Sequence, residues 1–140
     1  MEYLIGVIVA LAVAGLATLI GLDRDRAFYP TVLIVVASYY ALFAVMGAST
    51  ATLEIESAVG AGFLALALLG FKRSMWLVAA AIAGHGVFDF VHHSLIHNPG
   101  VPVWWPGFCA TVDIILGGWL AVRLWQTTHT NQGSAKPNRR

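Results

Sequence analysis

The sequence predicts an all-α membrane protein, a compact bundle of about five transmembrane helices. Three observations predict it. Of the 140 residues, 59% are hydrophobic and 11% charged, against about 25% charged in a soluble globular domain; a soluble chain this apolar would expose patches that monomers avoid. The eight Lys and Arg are confined to three short stretches: Arg24 and Arg26, then Lys72 and Arg73, then Arg123, Lys136, Arg139 and Arg140. Between these stretches the chain divides into apolar runs of roughly 20 residues, the length that crosses a bilayer.

The first span covers residues 3–22 and ends at Asp23-Arg24-Asp25-Arg26. No basic segment precedes its apolar run, which is long enough to span, so it reads as an uncleaved helix rather than a secretory signal. The second span, 31–47, follows Pro30, and Gly47-Ala48-Ser49-Thr50 turns the chain into the third, 52–71. Lys72-Arg73-Ser74 separates the third from the fourth, 75–96. His97-Asn98-Pro99-Gly100-Val101-Pro102 has the composition of a turn-rich loop, and the fifth span is 104–125. Residues 1–125 are thus expected to form one transmembrane domain, and residues 126–140 a disordered tail. No internal repeat is visible, which argues against a duplicated transporter fold.

With five spans, loops one and three and the C-terminal tail share a side. All eight Lys and Arg fall on it. Basic residues in short loops mark the cytoplasm, so the chain is expected as a multi-pass protein of a bacterial inner membrane, N-terminus outside and C-terminus cytoplasmic. The aromatic residues agree, with Tyr3, Trp104 and Trp105 at the outer interface and Tyr29, Trp76 and Trp125 at the inner one. Small residues at four-residue spacing offer faces for close helix packing: Gly6, Ala10 and Ala14; Ala58 and Gly62; Ala80 and Gly84; Gly117 and Ala121. The net charge of +1 gives no reason to expect nucleic acid. The expected partners are the lipid bilayer and either further copies of the chain or a larger membrane complex. A single cysteine, Cys109, forms no internal disulfide and no Cys-rich metal site.

The informative segment is His85-Gly86-Val87-Phe88-Asp89-Phe90-Val91-His92-His93-Ser94-Leu95-Ile96-His97. At about 100° per residue, His85, Asp89 and His92 fall within roughly 60° of one another on a helix. His93 and His97 have i, i+4 spacing on the adjacent side. Ionisable residues inside a span are costly and face the bundle interior, so they point to function. Counting inward from His97 at 1.5 Å per residue puts His93 about 6 Å, Asp89 about 12 Å and His85 about 18 Å deep. Glu54 and Glu56 enter the third span level with His92 and His93, and Asp113 in the fifth matches Asp89 in depth. Two tiers result: Glu54 or Glu56 with His92, His93 and His97, and below them Asp113 with Asp89 and His85.

Imidazoles with carboxylates suit a divalent transition metal such as Zn, Fe, Mn or Cu, and His93-x3-His97 has a spacing from which two side chains reach one ion. The expected ligands are His92, His93, His97, Asp89 and Glu54, with His85, Asp113 and Glu56 orienting them or relaying protons. Haem is not expected within one chain, because buried histidines on a single helix cannot take opposite faces of one iron. Plainer readings exist: His97 as an interfacial side chain, Glu54 and Glu56 as first-turn residues favoured by the helix dipole, and mid-span Tyr39 and Tyr40 as packing rings with a hydroxyl to offer.

The run His85-x3-Asp89-x2-His92-His93, followed by Val101-Pro102-Val103-Trp104-Trp105-Pro106 and Cys109-x3-Asp113, resembles a family of small bacterial membrane proteins. They carry an H-x3-D-x2-H-H helix, a Pro/Trp loop and a Cys-x3-Asp at the start of the last helix. The likeness covers roughly residues 80–120. That family has no assigned activity, so the resemblance implies a motif acting as a unit and no reaction. The ingredients also resemble those of intramembrane hydrolases of the alkaline ceramidase type, which hold zinc with His and Asp. Those proteins have more spans and a residue order not found here, so no residue role carries over.

Three functions fit. The first is a metal-binding membrane protein acting on a lipid or amphiphile near the outer leaflet, as a metal-dependent hydrolase or an oxidoreductase. The second is a proton relay or small-solute carrier, and the third a non-enzymatic accessory subunit of a membrane complex. The sequence singles out no catalytic residue. For topology, a reporter enzyme that works only outside the cytoplasm, fused after Arg140, is expected to be inactive; activity there would reverse the orientation.

Overall fold

The computed structural model describes residues 1–134, with side chains described through residue 130. Five helices carry the chain: α1 (Glu2–Ile20), α2 (Phe28–Gly47), α3 (Thr50–Arg73), α4 (Met75–Leu95) and α5 (Trp105–Ser134), with a 3-10 turn at Leu22–Arg24 between the first two. All five are long and apolar enough to span a membrane. This is a multi-pass, all-helical membrane protein.

Local chemistry explains the boundaries. Gly21 ends α1 with φ 82°, a left-handed conformation that costs glycine nothing. Pro30 falls in the first turn of α2 rather than before it, because a first-turn residue has no intrahelical use for the N–H that proline lacks. Ser49 caps α3 by accepting a hydrogen bond from the Thr52 amide at 3.2 Å. Ser74, extended, breaks α3 from α4. At the C-terminal side α5 runs past residue 125 to Ser134, where a disordered tail was expected. Thr127, Thr128 and Thr130 return their hydroxyls to the carbonyls of Arg123, Leu124 and Gln126, so these polar residues extend the helix instead of competing with it. Residues 135–140 of that expected tail lie outside the described residues.

The bundle is inside out relative to a soluble protein. In α1 the buried residues are Gly6, Ala10, Ala14 and Ala17, while Leu4, Ile8, Leu16 and Leu19 are more than half exposed. Lipid tails are as apolar as leucine, so large apolar side chains gain little by facing inward; small residues face the neighbour and let backbones approach. The closest pairing is α4 with α5, and α4 also meets α2 and α3, while α1 covers α5. Gly117 makes the α4–α5 approach, and Gly6 makes the α1–α5 one. The Ala58/Gly62 and Ala80/Gly84 pairs, expected at interfaces, face outward; the buried faces of α3 and α4 are those that carry Glu56 and His85.

The basic stretches meet at one end. Arg123 on α5 pairs with Asp23 at 3.1 Å, and Arg26 donates to the Phe71 carbonyl near the end of α3 at 2.9 Å. Tyr3 and Gly107 lie together at the other end. A methyl at Gly117 would sit 2.9 Å from the Ala79 carbonyl oxygen and the Ala83 nitrogen, whereas at Gly118 nothing lies within 4 Å. Gly117→Ala is therefore expected to destabilise by about 1–3 kcal/mol, and Gly118→Ala to be neutral or stabilising, by up to about 1 kcal/mol. Unfolding titrations in mixed micelles compare the two; the reverse order would contradict the α4–α5 packing.

Candidate metal centre

One face of α4 carries His85, Asp89 and His92, one turn or two apart, each at most 1% exposed. Three other helices and a loop supply what they face: Asp113 from α5, Glu56 from α3, Tyr40 from α2 and Asn98 from the α4–α5 loop, all buried. The two tiers legible from depth are present: the lower has its three expected members, and the upper has Glu56 and His92 with Asn98 in place of His93 and His97.

In the lower tier, His85 Nδ1 lies 2.6 Å from Asp113 Oδ2 and 3.6 Å from Asp89 Oδ2. The first is a short, charge-assisted hydrogen bond; the second is too long for one. Tyr40 donates its hydroxyl to Asp89 Oδ1 at 2.7 Å. The edge of Phe63 packs against the His85 ring, centroids 4.7 Å apart. In the upper tier, His92 Nε2 meets Glu56 Oε1 at 2.8 Å. Asn98 donates to that same oxygen at 2.8 Å and to the Tyr40 carbonyl at 3.1 Å. With Glu56 ionised, an oxygen already accepting from Asn98 can only accept from His92 as well, which puts the His92 proton on Nε2. Tyr40 joins the tiers: its hydroxyl binds Asp89 and its ring stacks on His92, centroids 3.9 Å apart and planes at 19°.

Four buried atoms of this cluster have no hydrogen-bond partner among the described residues: Asp89 Oδ2, Asp113 Oδ1, Glu56 Oε2 and His92 Nδ1. Buried polar atoms are nearly always partnered, and unpartnered ones call for water, an ion or a functional reason. His85, Asp89 and Asp113 each offer a ligand atom, all within 4.8 Å of one another, making a buried group able to hold a metal ion. One imidazole nitrogen and two carboxylate oxygens suit a borderline-to-hard divalent ion, whose charge the two aspartates balance.

The expected ligand set is redistributed. Asp89 is in the group, and His85 and Asp113, expected behind the ligands, form its centre. His92 and Glu56 pair with each other in the upper tier. His93, His97 and Glu54 are exposed and stand apart from it. The reason is angular. His93 is turned about 100° from His92, and Glu54 about 200° from Glu56, on their helices. Helix α4 ends at Leu95, so the i, i+4 relation of His93 to His97 does not exist; His97 lies in the loop, its carbonyl facing the Thr52 hydroxyl at 3.4 Å. His93 instead lines a pocket of about 260 Å³ that reaches Asp89, with Tyr3, Phe90 and Val101–Val103 around it. Asn98 was legible only as a turn residue, since nothing in His97-Asn98-Pro99-Gly100 marks a side chain that folds back under the bundle's end.

No protein-family model matches the chain, and no curated protein or solved structure is detectably similar to it. The site must be read from its own geometry.

Tyr40→Phe leaves Asp89 Oδ1 buried without its donor, an expected loss of about 1–3 kcal/mol. His93→Ala, at the surface, is expected within about 0.5 kcal/mol of the parent. Chemical unfolding in detergent measures both, and equal effects would show that the Tyr40–Asp89 bond contributes nothing.

Proposed function

We propose that this chain is a metal-binding multi-pass membrane protein in which His85, Asp89 and Asp113 hold one divalent transition metal ion. The observation that carries the reading is a buried group of one imidazole and two carboxylates, each offering a ligand atom within 4.8 Å of the others, in which one oxygen of each aspartate, Asp89 Oδ2 and Asp113 Oδ1, is buried without a partner. The pocket that Asp89 helps to line would be the side from which an ion reaches it. It opens beside the α4–α5 loop, the end that the positive-inside pattern places outside the cell. Its walls mix His93 and Tyr3 with Phe90, Val101 and Val103, which suits the polar end of a lipid or other amphiphile. A metal at its floor would polarise an oxygen entering from above, so hydrolysis of an amphiphile is the reaction class proposed. Tyr40, fixed on Asp89, orients that carboxylate.

A second reading is favoured by one distance. Two ligands of a tetrahedral ion with bonds near 2.0 Å stand about 3.3 Å apart, whereas His85 Nδ1 and Asp113 Oδ2 are 2.6 Å apart. That spacing holds a proton, and the alternation of carboxylates, imidazoles and the Tyr40 hydroxyl makes a proton relay the alternative.

Elemental analysis of protein purified in detergent without chelator separates the two. The metal reading expects about one ion per chain, retained in His93→Ala and His97→Ala but lost in His85→Ala and in the near-isosteric Asp113→Asn. Added Zn²⁺, Mn²⁺ or Fe²⁺ is expected to raise the unfolding temperature of the metal-free parent, since ligand at 100 times its Kd stabilises by about 2.7 kcal/mol. Absence of both stoichiometric metal and stabilisation would leave the relay as the account.

A further inference from the structure

The opposite end of the bundle holds a second set of buried polar atoms without partners, on residues that line a different cavity. A pocket of about 330 Å³ lies between the 3-10 turn, the start of α2 and the later turns of α5, with Asp23, Arg24, Arg26, Tyr29 and Arg123 around it. Arg123 is 18 residues along α5 from Trp105, about 27 Å, which is close to the thickness of the hydrocarbon core. That length puts the pocket at the edge of the hydrocarbon core, within reach of lipid headgroups.

Its chemistry has two signs. Arg24 is exposed and its guanidinium has no ion-pair or hydrogen-bond partner among the described residues, while Arg26 spends one N–H on the Phe71 carbonyl. The Tyr29 hydroxyl is buried and without a partner, on a residue only 1% exposed. These groups ask for an anionic acceptor. Asp23 asks for the opposite. Its side chain is 3% exposed, and Oδ2 is held by the Thr18 hydroxyl at 2.9 Å and by Arg123 at 3.1 Å. Oδ1 is buried and has no donor. A simple anion would satisfy the arginines but set like charge beside that oxygen. A quaternary ammonium would supply charge but no N–H. A phosphodiester or phosphomonoester carrying a primary ammonium supplies acceptors for the guanidinium groups and Tyr29, and up to three donors for Asp23.

We propose that this pocket is a binding site for a phosphoethanolamine group, the headgroup chemistry of phosphatidylethanolamine. It stands apart from the metal centre, so the tests of the two sites are independent.

Native mass spectrometry of the full chain in detergent, titrated with dioleoyl phosphatidylethanolamine, phosphatidylglycerol or phosphatidylcholine, reads the headgroup preference. Phosphatidylethanolamine is expected to bind about tenfold more tightly than the other two, the worth of one charge-assisted hydrogen bond to a buried carboxylate. Arg24→Gln and Tyr29→Phe are each expected to weaken it several-fold while leaving the unfolding temperature unchanged, because neither group has a protein partner to lose. Asp23→Asn is expected to remove the preference over phosphatidylglycerol; where that variant does not fold, the other two carry the test. Water-soluble O-phosphoethanolamine separates the sources: binding of the free compound with the same sensitivity to Arg24→Gln and Tyr29→Phe assigns the site to a soluble ligand, and binding of the lipid alone assigns it to the membrane. Equal retention of the three lipids, a preference for phosphatidylglycerol, or a preference unchanged by both variants would overturn the proposal.

Discussion

The contact between His85 Nδ1 and Asp113 Oδ2, 2.6 Å long and closed to water, joins the two most closely paired helices of the bundle, α4 and α5. In hydrocarbon neither group is tolerated alone, since an unpaired carboxylate there loses its hydration without compensation. Removing one partner of a buried pair typically costs about 3–5 kcal/mol. The contact also demands that the helix backbones come close. Gly86, next to His85, meets that demand: a Cβ there would stand 2.9 Å from the Ala110 carbonyl oxygen and 3.0 Å from Asp113 Cβ. A glycine beside the histidine and an aspartate on the facing helix act as one device.

Around that contact the bundle is arranged to keep polar groups away from lipid. Glu56, His85, Asp89, His92, Asn98 and Asp113 are all buried, while the exterior is leucine, isoleucine, valine and aromatic residues. A soluble fold of this size would reverse the assignment. Tyr40 is placed to serve both demands, because its ring covers the His92 ring and its hydroxyl ends on Asp89. Asn98 closes the cluster at the loop end and spans α2 and α3 through the Tyr40 carbonyl and Glu56. Every helix except α1 thus contributes to one polar network, and α1 seals α5 with a stripe of Gly and Ala.

How much of this a sequence can show follows from what each signal measures. Hydropathy and charge measure length along the membrane normal, and they located all five helices, to within three residues at every boundary except the C-terminal end of α5. Counting depth also placed Asp113 level with Asp89, and Glu56 level with His92. Depth says nothing about azimuth. Glu54 and Glu56 are nearly level, yet only the second faces inward, and His93 is one residue from His92 yet looks out. Azimuth follows from periodicity only when a helix has a known inner face, and His85, Asp89 and His92 defined one on α4. His93 lies on α4 but stands about 100° from His92 and points outward, whereas His97 lies past Leu95, where the chain turns and helical spacing no longer applies. Asn98 lay beyond reach for a related reason: a loop side chain has no period to betray its direction.

The electrostatics separate the two ends of the molecule and limit what can balance the cluster. Among the described residues every Lys and Arg lies at the end where Arg123 meets Asp23, and the polar cluster lies towards the other. No guanidinium or ammonium group is available to Asp89, Asp113 or Glu56, so their compensation comes from hydrogen bonds, protons or a bound cation. Hydrogen bonds from Tyr40, His85, His92 and Asn98 satisfy one oxygen of each carboxylate. The second oxygen of each is buried and without a partner. A proton added to one carboxylate lowers its charge and needs an acceptor of its own, which a neighbouring carboxylate or His92 Nδ1 would provide. A divalent ion acts on two carboxylates together. On the proposed reading, His85, Asp89 and Asp113 would hold the ion, and it would supply the positive charge that no side chain near the two aspartates provides.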